Sequence, residues 1–357
     1  MISKGSPDLV ELARRMVAIP SVSRSEAAMS GFVESWLRDN TDLEVVRVGE
    51  NLVASSAGYD SDDGLIFAGH LDTVPPASRY PNSADGLVSG VGAVDMKGGL
   101  AVMLGLAARA HARPVRFVFY VAEEIAREFS GLLQVEATHA QLLAGEAAVL
   151  LEPTDGWVEA GCQGTAKLRA TVGGKRAHTA RPFMGKNAIH RSHGLLAWLD
   201  AYQAEEHLID GCLYREALSA VSYRAGVAGN VVPDEALIDV NYRFAPRGRD
   251  VQALAEMLDL LASQLDAGHG DSVDLVDWAP SAPPNLTHPP IARLVAISRG
   301  VRAKAGWTDV AFFWERGIPA CNFGPGDPLL AHTDGEQLTQ NQLDEAFSCL
   351  SQLMDGA

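Results

Sequence analysis

Two rhythms of apolar and polar residues run along the chain and divide it. From Leu9 to Ala18 and from Ala27 to Arg38 apolar residues recur at helical spacing, which predicts two amphipathic helices. "GLIFAGH" and "VRFVFYVA" are short continuous apolar runs that predict buried strands, and "KGGLAVMLGLAARAHA" between them predicts a helix opened by glycines. "EAAVLLEPT" predicts another strand that ends in an acid. Helix and strand alternating up to about Gly161 is the βαβ rhythm of an α/β domain, a mostly parallel mixed sheet flanked by helices.

The second rhythm starts at Gly164. "GTAKLRATVGG" alternates as a half-exposed strand does, "NAIHRSHGLLAWLDAYQAEE" predicts a helix, and "SAVSYRAGV" and "ALIDVNYRFAP" predict two more strands. A helix over "DVQALAEMLDLLASQLDAG" and a strand over "SVDLVDWAP" complete the order. Strand, helix, two strands, helix, strand is the split βαβ plan of a ferredoxin-like α+β domain, here an insertion of roughly 110 to 120 residues. The proline-dense "APSAPPNLTHPP" leads back, and "IARLVAISRGVRAKAG", "IPACNFGPG" and "LDEAFSCLSQLMDGA" resume helix, strand and helix.

Composition removes several classes of function. The chain has 357 residues, enough for two domains, and its 47% hydrophobic and 21% charged residues suit a globular protein with a large core. A formal net charge of −16 without a basic run disfavours nucleic acid and anionic membrane as partners. Cys162, Cys212, Cys321 and Cys349 lie far apart with no C-x-x-C pair, which fits a reducing cytoplasmic location better than a disulfide framework or a thiolate metal site. The first 23 residues carry scattered charges and read as an amphipathic helix, not a signal peptide, and no apolar run reaches membrane-spanning length.

Polar groups then appear at strand ends where the apolar pattern predicts none. "FAGHLDTVP" places His70 and Asp72 on the same side of the chain, with Leu71 opposite. "GVGAVDMKGG" holds Asp95 in a glycine-flanked turn, the strand "VRFVFYVAEE" delivers Glu123 and Glu124, "VLLEPT" delivers Glu152, and His332 follows the apolar residues of "LLAHTDGE". The carboxyl ends of parallel strands form the ligand crevice of such sheets. Taken singly, each residue has a structural explanation: a hydrogen-bonded histidine, a solvated helix start for the glutamates, a helix N-cap for Asp95, a strand end for Glu152. Gathered at one end of one sheet, they make an oxygen and nitrogen ligand set suited to divalent zinc. Without metal their charges would be costly to bury, and Asp95 is suited to bridge two ions roughly 3.5 Å apart. The glycines around Asp95 do not complete a G-x-G-x-x-G fingerprint and no serine sits in G-x-S-x-G, so dinucleotide binding and serine hydrolysis lack their signatures.

"GHLDTVP", "GVGAVDMKGG", "AEE", "LEPT" and "AHTDGE" together resemble the di-zinc aminoacylase and carboxypeptidase family, and the likeness extends over nearly the whole chain. The resemblance implies a zinc-peptidase-like catalytic domain over 1–163 and 280–357 and a lid and dimerisation domain over 164–279. It implies two zinc ions per subunit, for which cobalt can substitute: His70 and Glu152 complete one site, Glu124 and His332 the other, and Asp95 bridges them. Asp72 would orient His70, and Glu123 would be the general base that moves a proton from water to the leaving amine. "GGKRAHTARPFMGKNAIH" resembles the family's lid motif, so His178 would stabilise the oxyanion from the partner subunit of a homodimer. Asn230, Arg243 and Thr308 fall on substrate-binding positions, with Arg243 able to clamp a carboxylate.

Within the family, "LEPTDGWVEAGCQGT", "GWTDVAFF" and "NFGPGDPLLAHTDGE" most resemble its actinobacterial succinyl-diaminopimelate desuccinylase type. That likeness implies an N-acyl amino acid substrate, N-succinyl-LL-2,6-diaminopimelate, cleaved to succinate and LL-2,6-diaminopimelate. Acetylornithine deacetylation, dipeptide cleavage and a non-catalytic ligand-binding role stay open as alternatives. The chain departs from the family in "EEIAREFSG", where a glycine often follows the glutamates, at Val91, and in the "WTD" around Thr308.

Overall fold

Four apolar strands, each with every residue buried, run parallel through the middle of the larger sheet: Val115–Tyr120, Leu65–His70, Ala147–Leu150 and Ala320–Asn322, in that order. They are continuous apolar runs because both faces are covered. In this computed structural model, which describes residues 7–77 and 84–356, Asn51–Ser55 and Glu44–Val48 extend the sheet antiparallel on one side, and Val158–Ala160 and Val301–Ala303 extend it on the other. The hairpin of Glu44–Val48 and Asn51–Ser55, and the short Val301–Ala303 strand, have no counterpart in the predicted elements.

The helix Gly98–Ala107 is buried at every residue, since it packs between the sheet and the helices Leu9–Val17 and Gln340–Met354. A Cβ on Gly99 would stand 2.2 Å from the Leu151 carbonyl oxygen, so the glycines of "MKGG" let the helix start directly against a strand end. Gln340–Met354 begins three residues before its predicted start, because Thr339 and Gln342 close a capping box there.

These elements form one compact unit, made of the chain up to Gly161 with Pro284–Arg302 and the residues from Asp309 onward. The other unit comprises Cys162–Pro283 and Ala303–Thr308. Its four-stranded antiparallel sheet runs in the order Ala217–Ala225, Glu235–Phe244, Gly164–Gly173, Ser272–Ala279, the ferredoxin-like arrangement of second, third, first and fourth strands. Leu168, Ile238, Leu254 and Leu261 belong to a core that helices and sheet share.

One predicted helix of this unit is not continuous. The stretch 187–206 forms two helices, Ala188–Arg191 and His193–Ala201, and its end enters a hairpin of Glu206–Ile209 with Cys212–Arg215. The Ser192 hydroxyl donates to the Ile189 carbonyl at 2.8 Å, competing with the helical ladder at the break. Asp210 and Gly211, both at positive φ, supply the two-residue turn.

Candidate active site

Strand register brings the first ligands together. His70 ends its strand opposite Tyr120, and Ala68 lies opposite Leu150. Two residues beyond Leu150, Glu152 therefore arrives beside His70, with its Oε1 4.0 Å from the imidazole Nε2. Two residues beyond His70, Asp72 meets the chain leaving Tyr120 and accepts the Glu123 N–H at Oδ1 and the Glu124 N–H at Oδ2, both at 3.1 Å. The Ser23 hydroxyl donates to the same carboxylate at 2.7 Å. The His70 Nδ1 lies 3.0 Å from the Asp72 carbonyl oxygen and 3.5 Å from its carboxylate.

Asp95 comes from an irregular turn and not from a helix. Its φ of −119° and ψ of 97° are extended, and the following helix has no side-chain cap bond, so Asp95 is no N-cap. Its Oδ1 is 3.1 Å from His70 Nε2 and its Oδ2 is 3.4 Å from His332 Nε2. His332, at a φ of 61°, lies 2.9 Å from Glu124 Oε1. Glu123 and Glu124 sit in a non-helical turn, half-buried, so neither starts a helix. Ligand atoms of His70, Asp95 and Glu124 all lie within 4.8 Å of one another.

The charges distort one another's protonation. Burial alone would push the His70 imidazole down, but Asp72 and Asp95 hold it well above its ordinary value. Hydrogen bonds donated to the Asp95 and Glu124 carboxylates push His332 up to about 10. Burial works against the Asp95 carboxylate, yet His332 and His70 keep it well below the usual range. Glu123 goes the other way: burial raises it well above the usual value, helped by Glu152, Asp309 and Glu124 and opposed by His70. The result is an Asp95 held as the carboxylate between two imidazoles that hold protons, where a divalent cation would replace those protons. Five donors of oxygen and imidazole nitrogen fit zinc and similar ions.

His178, Asn230, Arg243 and Thr308 belong to the other unit. His178 bridges Val231 in antiparallel fashion, Thr179 donates its N–H to the Asn230 carbonyl, and the exposed imidazole accepts the Ala180 N–H at 3.0 Å. Arg243, half-buried, donates to Asn241 at 3.0 Å. Thr308 is buried, and its hydroxyl has no partner among the described residues.

Sequence reasoning missed three groups. Ser23 holds Asp72, and the buried Glu336 accepts the Val94 and Asp95 N–H groups at 3.0 and 3.2 Å. Buried Asp309 is pushed up to about 6 by desolvation, against the opposing effects of the Tyr120 hydroxyl and the His70 charge. Glu336 lies inside the quoted "AHTDGE" and Asp309 follows Thr308, so proximity to a motif was the one available signal.

The profile of the peptidase family M20/M25/M40 matches residues 66–356. A Corynebacterium glutamicum succinyl-diaminopimelate desuccinylase is 39% identical over 358 residues, covering 97% of this chain and 96% of that protein. A Mycobacterium tuberculosis protein with a provisional name of the same kind is 42% identical over 355 residues, covering 98% of each. In fold, a Staphylococcus aureus tripeptidase matches with a TM-score of 0.77 at 20% identity over 97% of both chains. A Bacillus subtilis dinuclear metal-binding peptidase matches with 0.69 at 19% identity, covering 97% of this chain and 96% of that one. The strand-end cluster of histidines and carboxylates and these likenesses lead to one conclusion: the chain belongs to the peptidase family M20/M25/M40.

Proposed function

We propose that the protein is a metal-dependent amide hydrolase that cleaves N-succinyl-LL-2,6-diaminopimelate to succinate and LL-2,6-diaminopimelate. The observation that carries the chemistry is the convergence of His70, Asp95 and Glu124 within 4.8 Å, with Glu123 beside them. The substrate rests on the 39% and 42% identical relatives over nearly their whole length.

Two zinc ions would be held by these donors, one by His70 and Glu152, one by Glu124 and His332, with Asp95 common to both; cobalt could take their place. Such ions supply a polarised carbonyl and a water of lowered pKa. The rest falls to the chain. Asp72, held by three donors, fixes the tautomer and orientation of His70. Glu123 takes a proton from the attacking water and delivers it to the amine as the C–N bond breaks, giving one carboxylate and one amine per water consumed.

His178 stabilises the negative oxygen of the tetrahedral stage from the partner subunit of a homodimer, and Asn230, Arg243 and Thr308 bind substrate polar groups. The unit around residues 164–279 acts as lid and dimerisation domain to the catalytic remainder. No helix among the described residues is long and apolar enough to cross a membrane, and the proposed location is the cytoplasm, where the four free cysteines would stay reduced. The test is turnover of the zinc-loaded protein with N-succinyl-LL-2,6-diaminopimelate, N-acetylornithine and dipeptides. Succinate release from the first at the highest kcat/KM is expected, and exclusive cleavage of one of the others overturns the substrate assignment.

A further inference from the structure

We propose that Glu336 is the positioning residue of the metal centre, holding the Val94–Asp95 backbone so that the Asp95 carboxylate is aimed between His70 and His332. This rests on the metal-centre reading above. Val94 and Asp95 follow Gly92, whose φ of 77° breaks the preceding backbone, so their N–H groups open the turn with no helical carbonyl before them to bond. Both N–H groups donate to one oxygen, Oε1 of Glu336, at 3.0 and 3.2 Å. Glu336 is 1% exposed and Val94 fully buried, so no water is at hand to replace that acceptor.

The clamp is continuous with a strand pair. Gly90 donates its N–H to the Glu336 carbonyl at 3.2 Å, and Gln337–Thr339 pairs antiparallel with Leu87–Ser89. The turn that carries Asp95 is thereby fastened to the segment that carries His332. One docking event delivers His332 and orients Asp95. With Oε1 occupied by two donors, Glu336 acts through Asp95 and is not a ligand.

Acceptor geometry, not charge, is the requirement, since Gln can present an oxygen at the same reach. The experiment measures both zinc affinities of metal-free protein by competition with a chromophoric chelator, alongside the melting temperature. Glu336→Ala should weaken both binding steps by about 10- to 100-fold, the usual effect of removing a group that orients a ligand. Glu336→Gln should remain within about fivefold of the unaltered protein. Should Glu336→Ala not fold, Glu336→Asp, whose oxygen is withdrawn by one methylene, carries the same expectation as Ala. Unaltered zinc affinities with a lowered melting temperature would make Glu336 a purely structural residue, and equal losses in Gln and Ala would replace geometry by charge; either overturns the proposal. If the unaltered protein itself takes up no zinc, the metal-centre reading has failed instead.

Discussion

Glu124 Oε1 and His332 Nε2 lie 2.9 Å apart although 208 residues separate them in the chain. Between them the chain builds the whole of the second unit and returns. The pair thus forms only when the last part of the first unit has docked. Ordering that long a loop is costly in entropy, and the compensation comes from the buried strand Ala320–Asn322 and helix Gln340–Met354 on either side of His332.

Glu123→Gln removes the proposed base while Glu124, Asp95 and the histidines remain. Turnover should fall by about 100- to 10,000-fold, with zinc content unchanged at two per chain by elemental analysis. Loss of one zinc along with activity would show that Glu123, not Glu124, is the ligand.

Asp72→Asn keeps the shape of the side chain but presents an amide where the Glu123 and Glu124 N–H groups and the Ser23 hydroxyl now donate to carboxylate oxygens. Zinc affinity should drop by about 10- to 100-fold. Ser23→Ala removes one of three donors and should give a smaller fall in the same direction. A chelator titration that ranks Ser23→Ala as the more damaging would contradict this order.

The two histidines give a sign to the pH dependence of the metal-free protein. His332 is raised from about 6.5 to about 10, and His70 is raised as well, so the folded state binds more protons than the unfolded one above the unfolded pKa. Their stabilising contribution is complete below pH ~6.5 and is lost as pH rises toward ~10. Buried Lys97, lowered to about 8, acts in the opposite sense above that value, while the raised carboxyls Glu123 and Asp309 act in the same sense as the histidines, so the sign is fixed across pH ~6.5 to ~8. Calorimetry should show the melting temperature of metal-free protein falling across that window and that of zinc-loaded protein staying flat, since zinc needs neutral imidazoles. A rising melting temperature for the metal-free protein would mean that the histidines are not protonated there.

Mixing two inactive variants tests whether His178 acts across a dimer. If it does, subunits carrying Glu123→Gln and His178→Ala form heterodimers with one complete site of two, and random reassociation recovers about a quarter of the original activity. No recovery in a mixture shown by native mass spectrometry to contain heterodimers places His178 in the site of its own chain.

The order of elements was legible because period-two and helical patterns report burial of one face, and because continuous apolar runs such as Leu65–His70 report burial of both. The Asp210-Gly211 turn carries a hairpin signal, but it lies just past the predicted helix over 187–206, in a segment for which the pattern predicts no element. The edge hairpin Glu44–Val48 with Asn51–Ser55 and the three-residue strands were harder, since each is short and takes its conformation from neighbours more than from its own pattern.

By itself the sequence determined which side chains are out of keeping with an apolar core: His70, Asp72, Asp95, Glu123, Glu124, Glu152 and His332 each interrupt a local pattern, and local pattern is what a sequence records. Only the tertiary structure decided which of them meet. Glu152 reaches His70 through the register of neighbouring strands, the backbone of the paired glutamates is held by the two oxygens of Asp72, and Asp95 faces both histidines because Glu336, 241 residues away, holds its backbone. Those are hydrogen bonds and pairings between distant segments, and no spacing along the chain encodes them.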